Sequence, residues 1–198
     1  GLGGVAIARK RHEIQRHGQI DFADEVGEED ARALQNADHH QIASLIVVGD
    51  FPSQLGMGHT WNRELLRKTG RIVGREARLL GYTNIYAPVL DVGRDQRWGR
   101  YEEVFGESPY LVAELGVAMA SGMQTDYQVA ATSKHYIAYS NNKGGREGMA
   151  RVDPQMSPRE VEMIHVYPWK RVIKEAGILG IMSSYNDYDG FPIQSSYY

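Results

Sequence analysis

The side chains best equipped for chemistry fall in three short clusters. Arg94, Asp95, Arg97 and Arg100 lie within Gly93-Arg94-Asp95-Gln96-Arg97-Trp98-Gly99-Arg100, Lys134 and His135 are adjacent, and Ser183-Ser184-Tyr185-Asn186-Asp187 forms a polar run. Arginine and lysine only donate hydrogen bonds, histidine does either, and serine, tyrosine and asparagine do both. Converging groups of this kind suit a ligand rich in hydroxyls, such as a sugar. An aromatic ring such as that of Trp98 can pack against the apolar face of a pyranose.

Each cluster also has a plainer reading. Arg100 can pair with Glu102 or Glu103 in an ordinary surface ion pair. Lys134-His135 can be a solvated strand end, and Tyr185 a half-buried strand residue. Asp187 and Asp189-Gly190 read as a turn. Adjacent histidines on a helix do not face one point, so His39-His40 is not taken as a metal pair. His165 lies within a helical pattern and reads as a packing residue.

The elements that would position these groups follow from periodicity. Residues 45–50 form a short β-branched apolar run, a buried strand. Leu65, Leu66, Thr69, Ile72, Val73, Ala77 and Leu80 make a helical stripe over Asn62–Leu80, with Gly81 as its stop. Residues 84–92 read as the next strand. Ser108-Pro109 opens a second helix whose apolar face is Val112, Leu115 and Met119. Residues 128–136 read as a third strand. Ser157-Pro158-Arg159-Glu160 is a capping box opening a third helix, which Pro168 kinks or restarts and Gly177 ends. Residues 178–186 read as a fourth strand, and Glu28–Ala43 as a helix. The alternation makes this an α/β chain with parallel strands. A (β/α)-barrel and an open doubly wound sheet both fit. The three polar clusters then stand at the C-terminal ends of strands, the edge where such folds build their sites.

Bulk properties narrow the function classes. The 198 residues carry a net charge of −3 with basic and acidic residues interspersed, which gives no electrostatic case for nucleic acid. There is no cysteine, so disulfides and thiolate metal sites are excluded. No apolar run reaches the roughly 18 residues of a membrane helix, so no membrane insertion is expected. No phosphate-binding glycine motif follows a predicted strand, which argues against a nucleotide binder. No metal or organic cofactor is implied.

Several blocks together carry a resemblance. Ala87-Pro88-Val89-Leu90-Asp91-Val92-Gly93-Arg94-Asp95-Gln96-Arg97-Trp98-Gly99-Arg100 resembles the APVLDVxRDPRWGR block of glycoside hydrolase family 3. Glu102–Val112 is similar to the EExFGEDPYLV stretch that follows it there, Val129–Tyr136 to VAATAKHF, and Ile181–Gly190 to VMxSYNxxDG. Phe51–Gly58 matches the FPSQLGMG segment. The blocks occur in the family's order over residues 51–198, while residues 1–50 match poorly. The resemblance implies a partial (β/α)8 TIM-type barrel belonging to the family's N-terminal domain. It implies retaining hydrolysis of a β-linked glucoside or oligosaccharide at its non-reducing end, with one carboxylate attacking the anomeric carbon and another protonating the leaving oxygen.

By position in those blocks, Arg100, Lys134 and His135 would bind hydroxyls of the innermost sugar. Tyr185 would lie near the reacting centre, Met182 would line the pocket, and Arg146 would be a loop arginine reaching it. The family's nucleophile is an aspartate in a later (V/L)VSD motif, which has no counterpart here, so the nucleophile and the acid/base are expected beyond Tyr198. Members also carry an acidic residue before the Phe51 segment, for which Asp38 and Glu25 are the candidates. The loop after His135 lacks the KHFPGHGDT pattern of the family's N-acetylglucosaminidases, favouring a β-glucosidase or β-xylosidase; the alternative is a non-catalytic carbohydrate-binding remnant of the same fold, which would keep Arg100, Lys134 and His135 and hydrolyse nothing. The resemblance favours a periplasmic or secreted protein, although no signal peptide is visible and the chain begins at Gly1.

Overall fold

The structure, a computed structural model, describes residues 51–141 and 152–196. All of these belong to one compact unit, Asp50–Tyr198. The expected strand at 45–50, the helix at Glu28–Ala43, Glu25, Asp38, His39, His40 and Arg146 lie outside the described residues.

Helix α1 (Gln54–Gly58) is capped by Ser53. Helix α2 (Arg63–Leu79) begins where the Asn62 side chain accepts the Leu65 N–H. It ends at Leu80, with Gly81 next in the left-handed region at φ 93°, a conformation that favours glycine. Its buried face is Leu66, Thr69, Gly70, Val73, Gly74 and Ala77. Leu65 and Ile72, which belong to the sequence stripe, are instead exposed. They flank the buried face, and a stripe drawn wide enough to include both exceeds what one neighbouring helix covers. That neighbour is α3 (Pro109–Met123), opened by the Ser108 cap. Helix α3 is buried on most of its circumference, as befits a helix apolar nearly all round. Gly70 and Gly74 let the two helices approach backbone to backbone: a Cβ on them would stand 2.3 Å from the Met119 carbonyl oxygen and 2.4 Å from that of Met123.

The sheet is parallel, in the order β1 (Asn84–Ile85), β2 (Ala130–Tyr136), β3 (Gly180–Ser183). The strands are shorter than the sequence suggests. β1 leaves the ladder after Ile85, and pairing resumes only at Val89, which bridges to Lys134. Pro88 between them has no N–H to donate, though its carbonyl accepts from Lys134 N at 3.1 Å. On its other side, Val89 is paired by a side chain. Gln54 donates to its carbonyl at 3.0 Å and accepts from its N–H at 2.9 Å. The Gln54 amide thus does locally what a neighbouring strand would do.

The third helical run is irregular. It starts as α4 (Pro158–Glu160), capped by Ser157, widens to π-helix over Val161–Val166, tightens as α5 (Tyr167–Arg171), and widens again over Val172–Ala176. Pro168 stands inside this run, at the second residue of α5, where its missing N–H interrupts the helical ladder at the change from π to α winding. Gly177, at φ 59°, ends the run. β3 is followed by a hairpin, β4 (Asp187–Tyr188) and β5 (Phe191–Pro192), turned at Asp189-Gly190 with φ 52° and 78°. Both turn residues have positive φ, the requirement of a type I′ turn. The Asp153 carboxylate accepts the Gly190 N–H at 2.7 Å and holds that turn. No helix among the described residues is long and apolar enough to cross a membrane.

Candidate functional site

Because β1, β2 and β3 run parallel, their C-terminal ends share one edge, and the three polar clusters of the sequence stand there. The register is regular from Thr132↔Gly180 to Lys134↔Met182, then slips, so that Tyr136 faces Ser183 and His135 has no partner on β3. A bulge of this kind turns one residue out of the ladder and re-aims its side chain. The freed His135 N–H is taken by Asp91 Oδ2 at 3.1 Å, and the same oxygen meets His135 Nδ1 at 2.9 Å.

On the opposite side of the ring, His135 Nε2 lies 2.9 Å from Arg100 Nη1. A guanidinium has only donors, so Nε2 accepts and the ring hydrogen resides on Nδ1, directed at Asp91. Arg100 also gives Nε and Nη2 to the two oxygens of Glu103, at 2.7 and 2.6 Å. The plain reading of Arg100 as half of an ion pair and its reading as a site residue are therefore both true of the geometry. Burial opposes its charge, but the Glu103 bonds and the nearby Asp91 carboxylate outweigh that and raise its pKa further. Asp91, Arg100 and His135 thus form a continuous, nearly buried polar chain, with His135 4% exposed.

The aromatic residues are arranged differently from expectation. Trp98 is 1% exposed and packs in the core with Val89, Val104 and Tyr139. It offers no face to a sugar, because the loop folds back and uses its ring as filling. The Arg100 guanidinium carbon lies 5.8 Å from the Trp98 ring centre and the same from Tyr139. Tyr185 lies beyond the end of β3, is 62% exposed, and meets Tyr139 edge to face at 6.0 Å. Its open ring is the aromatic surface at this edge, in place of a half-buried strand position. Lys134 and Met182 are both half-buried and stand opposite each other across β2 and β3.

Five of the six expected site residues can thus be placed. Arg100 and His135 touch, Tyr185 joins them through Tyr139, and Lys134 and Met182 are register partners beside them; Arg146 is the sixth. Asp91 and Tyr139 were missed as site residues. Asp91 stands inside an apolar strand pattern that gives it no marked role, and Tyr139 follows a bulge that no periodicity reveals. His165 is buried on the third helical run, as a packing residue would be. Burial pushes its pKa down to about 4, Asp91 pulling it up and Arg94 down.

A polar depression of about 640 Å³ lies along the Arg94–Arg97 loop and reaches Glu107 and Asn141. A largely apolar one of about 530 Å³ lies beside Trp61, Tyr101 and Phe105. Neither is lined by Arg100 or His135. No cluster among the described residues has the composition to hold a metal ion.

Residues 14–198 match the family model described as the glycosyl hydrolase family 3 N terminal domain. A β-xylosidase of Formosa agariphila is 37% identical over 150 residues, covering 72% of this chain and 20% of that protein. A periplasmic β-glucosidase of Salmonella typhimurium is 35% identical, covering 73% of this chain and 19% of that protein. Among solved structures, the β-glucosidase of Listeria innocua in complex with isofagomine superposes with a TM-score of 0.65 at 34% identity, over 72% of this chain and 21% of that one. β-Glucosidase 3B of Thermotoga neapolitana in complex with glucose gives 0.67 at 29% identity, over 72% and 19%. The chain spans about a fifth of the length of these relatives. With a family match over most of its length, this chain belongs to glycosyl hydrolase family 3, in the N-terminal domain.

Proposed function

We propose that this chain forms part of a (β/α)8-type barrel and supplies the sugar-gripping edge of a retaining β-glycosidase acting on β-linked glucosides. Arg100, Lys134, His135, Met182 and Tyr185, with Arg146 from its loop, line the innermost subsite. The observation that carries this reading is the 2.9 Å contact between Arg100 and His135, 35 residues apart, at the C-terminal edge of a parallel sheet. A guanidinium carries more N–H donors than Glu103 and His135 engage here, and Tyr185 offers an open ring close by. Hydroxyl-binding donors fixed in advance accelerate hydrolysis when their bonds shorten as the sugar approaches its oxocarbenium-like transition state. The attacking carboxylate and the acid/base come from outside these 198 residues.

A β-xyloside is the second reading, since the relatives include a β-xylosidase at 37% identity and a β-glucosidase at 35%. Calorimetric titration of the chain with glucose, xylose and isofagomine tests the site and ranks the two sugars. Saturable binding that disappears in Arg100→Ala is expected; no binding to any of the three would overturn the reading. On an aryl β-glucoside the chain alone should show no turnover, because loss of the nucleophile costs orders of magnitude. Turnover at ordinary enzymatic rates would place the chemistry inside the chain after all.

A further inference from the structure

We propose that Tyr139 is a positioning residue of this site, an aromatic wall that holds the Arg100 guanidinium against His135 and braces Tyr185. The sugar-binding part of the proposal rests on the function proposed above. The contacts holding Arg100 differ in kind. Glu103 is three residues away on the same loop, so its contact with Arg100 moves with that loop and does not fix it to the sheet; Trp98, two residues away and at the same 5.8 Å, is itself held in the core against Tyr139. His135 and Tyr139 are the partners from β2 and the turn after it. His135 meets one edge of the guanidinium, and Tyr139 meets it through its ring, whose centre is 5.8 Å from the guanidinium carbon, and through its hydroxyl, which interacts with Arg100.

The wall is itself anchored. Tyr139 is 2% exposed and meets His135, Trp98 and Tyr185 edge to face, at 5.1, 5.3 and 6.0 Å. Its neighbour Ser140 donates to the Val92 carbonyl at 2.5 Å, pinning the turn to the strand end that leads into the Arg100 loop. One ring therefore touches three of the residues expected to face the sugar, each on a separate segment: Arg100, His135 and Tyr185. A cation over a desolvated ring face is attracted by the ring quadrupole. That attraction is directional and constrains the tilt of the guanidinium, which the in-plane bonds to Glu103 and His135 leave less constrained.

Fluorination tests this, because it drains the quadrupole while nearly preserving the shape of the ring. The chain is compared as native, as Tyr139→Phe, and with pentafluorophenylalanine in place of Tyr139. Glucose affinity is measured by calorimetry, and Arg100 Nε–H exchange by nitrogen-15 NMR without sugar. Tyr139→Phe, which loses the hydroxyl contact with Arg100 and keeps the ring, should weaken glucose by about threefold and keep the Arg100 Nε–H protected. The fluorinated ring should weaken glucose about tenfold, a loss within the range of a desolvated cation–π contact, and speed Nε–H exchange at an unchanged melting temperature. A fluorinated chain that binds and exchanges as Tyr139→Phe does would overturn the proposal. If the native chain fails to bind glucose while Nε–H exchange still responds to fluorination, the positioning role stands and the sugar reading fails.

Discussion

One oxygen of Asp91 accepts two hydrogen bonds from His135, one from its backbone N–H and one from its ring, at 3.1 and 2.9 Å. The bulge that removes His135 from the β-ladder would otherwise leave that N–H buried and unpaired, so the carboxylate serves the backbone and the side chain together. It also sets which ring nitrogen faces Arg100 as an acceptor. Asp91→Ala would strand two buried donors, at about 2–4 kcal/mol in total. Asp91→Asn keeps an oxygen able to accept both and should cost about 1 kcal/mol. Urea unfolding of the two variants measures the difference. Equal stability of Asp91→Ala and the native chain would show that the shared acceptor contributes nothing.

Arg100 reaches both Glu103 oxygens and His135 at once, a span that only a planar fork provides. In Arg100→Lys the ammonium can satisfy one side or the other. That variant should lose at least about tenfold in sugar affinity, and Glu103→Gln should lose less, because the His135 and Tyr139 contacts remain. Titrating both variants with the sugar that binds the native chain gives the order. If Arg100→Lys binds as tightly as native, the forked geometry is not what the site uses.

Helix boundaries and strand direction were legible in the sequence, because each depends on a few neighbouring residues. The caps Ser108 and Ser157, the stops Gly81 and Gly177, and the Asp189-Gly190 turn all act locally. What was not legible depends on pairs far apart in the chain. The bulge at His135 exists only in relation to β3, and Gln54 acts as a surrogate strand only because Val89 lies 35 residues on. Trp98 looked like a sugar platform because its neighbours are polar, but Val89 and Tyr139 close over it. Tyr139 itself sits just past β2, where alternation has ended and no pattern says which way a ring points.

The approach of α2 to α3 makes a sharp prediction about glycine. In an exposed helix Gly→Ala gains about 1 kcal/mol of propensity. At Gly74 the added carbon would stand 2.4 Å from the Met123 carbonyl oxygen, and that is backbone, which cannot swing aside. The helices must part, at about 3 kcal/mol by the scale of core overpacking. Gly74→Ala should therefore destabilise by about 2 kcal/mol net, while Lys68→Ala on the exposed face of the same helix stays near neutral. A shift of the Gly74→Ala urea midpoint upward would mean that the helices are not in backbone contact.

The pH dependence of stability should carry the signature of His165. Its ring is 2% exposed, its Nε2 has no hydrogen-bond partner among the described residues, and burial holds its pKa near 4 against an ordinary 6.5. Between those values the unfolded chain binds a proton that the folded chain refuses. Stability is therefore full above about pH 6.5, falls as pH drops toward 4, and levels off below, a loss of about 3 kcal/mol. Glu107, Glu114 and Glu175, whose pKa values are lowered by hydrogen bonds from Tyr101 and Arg171, add their own losses only beneath about 4.5. The upper part of the window is thus free of these carboxylates. His165→Phe fills the same space with a ring that cannot take up a proton, and should flatten the stability curve between pH 6.5 and 5. An unchanged slope in that variant would mean that the buried imidazole does not resist protonation, and that its Asp91 neighbour compensates for the lost hydration.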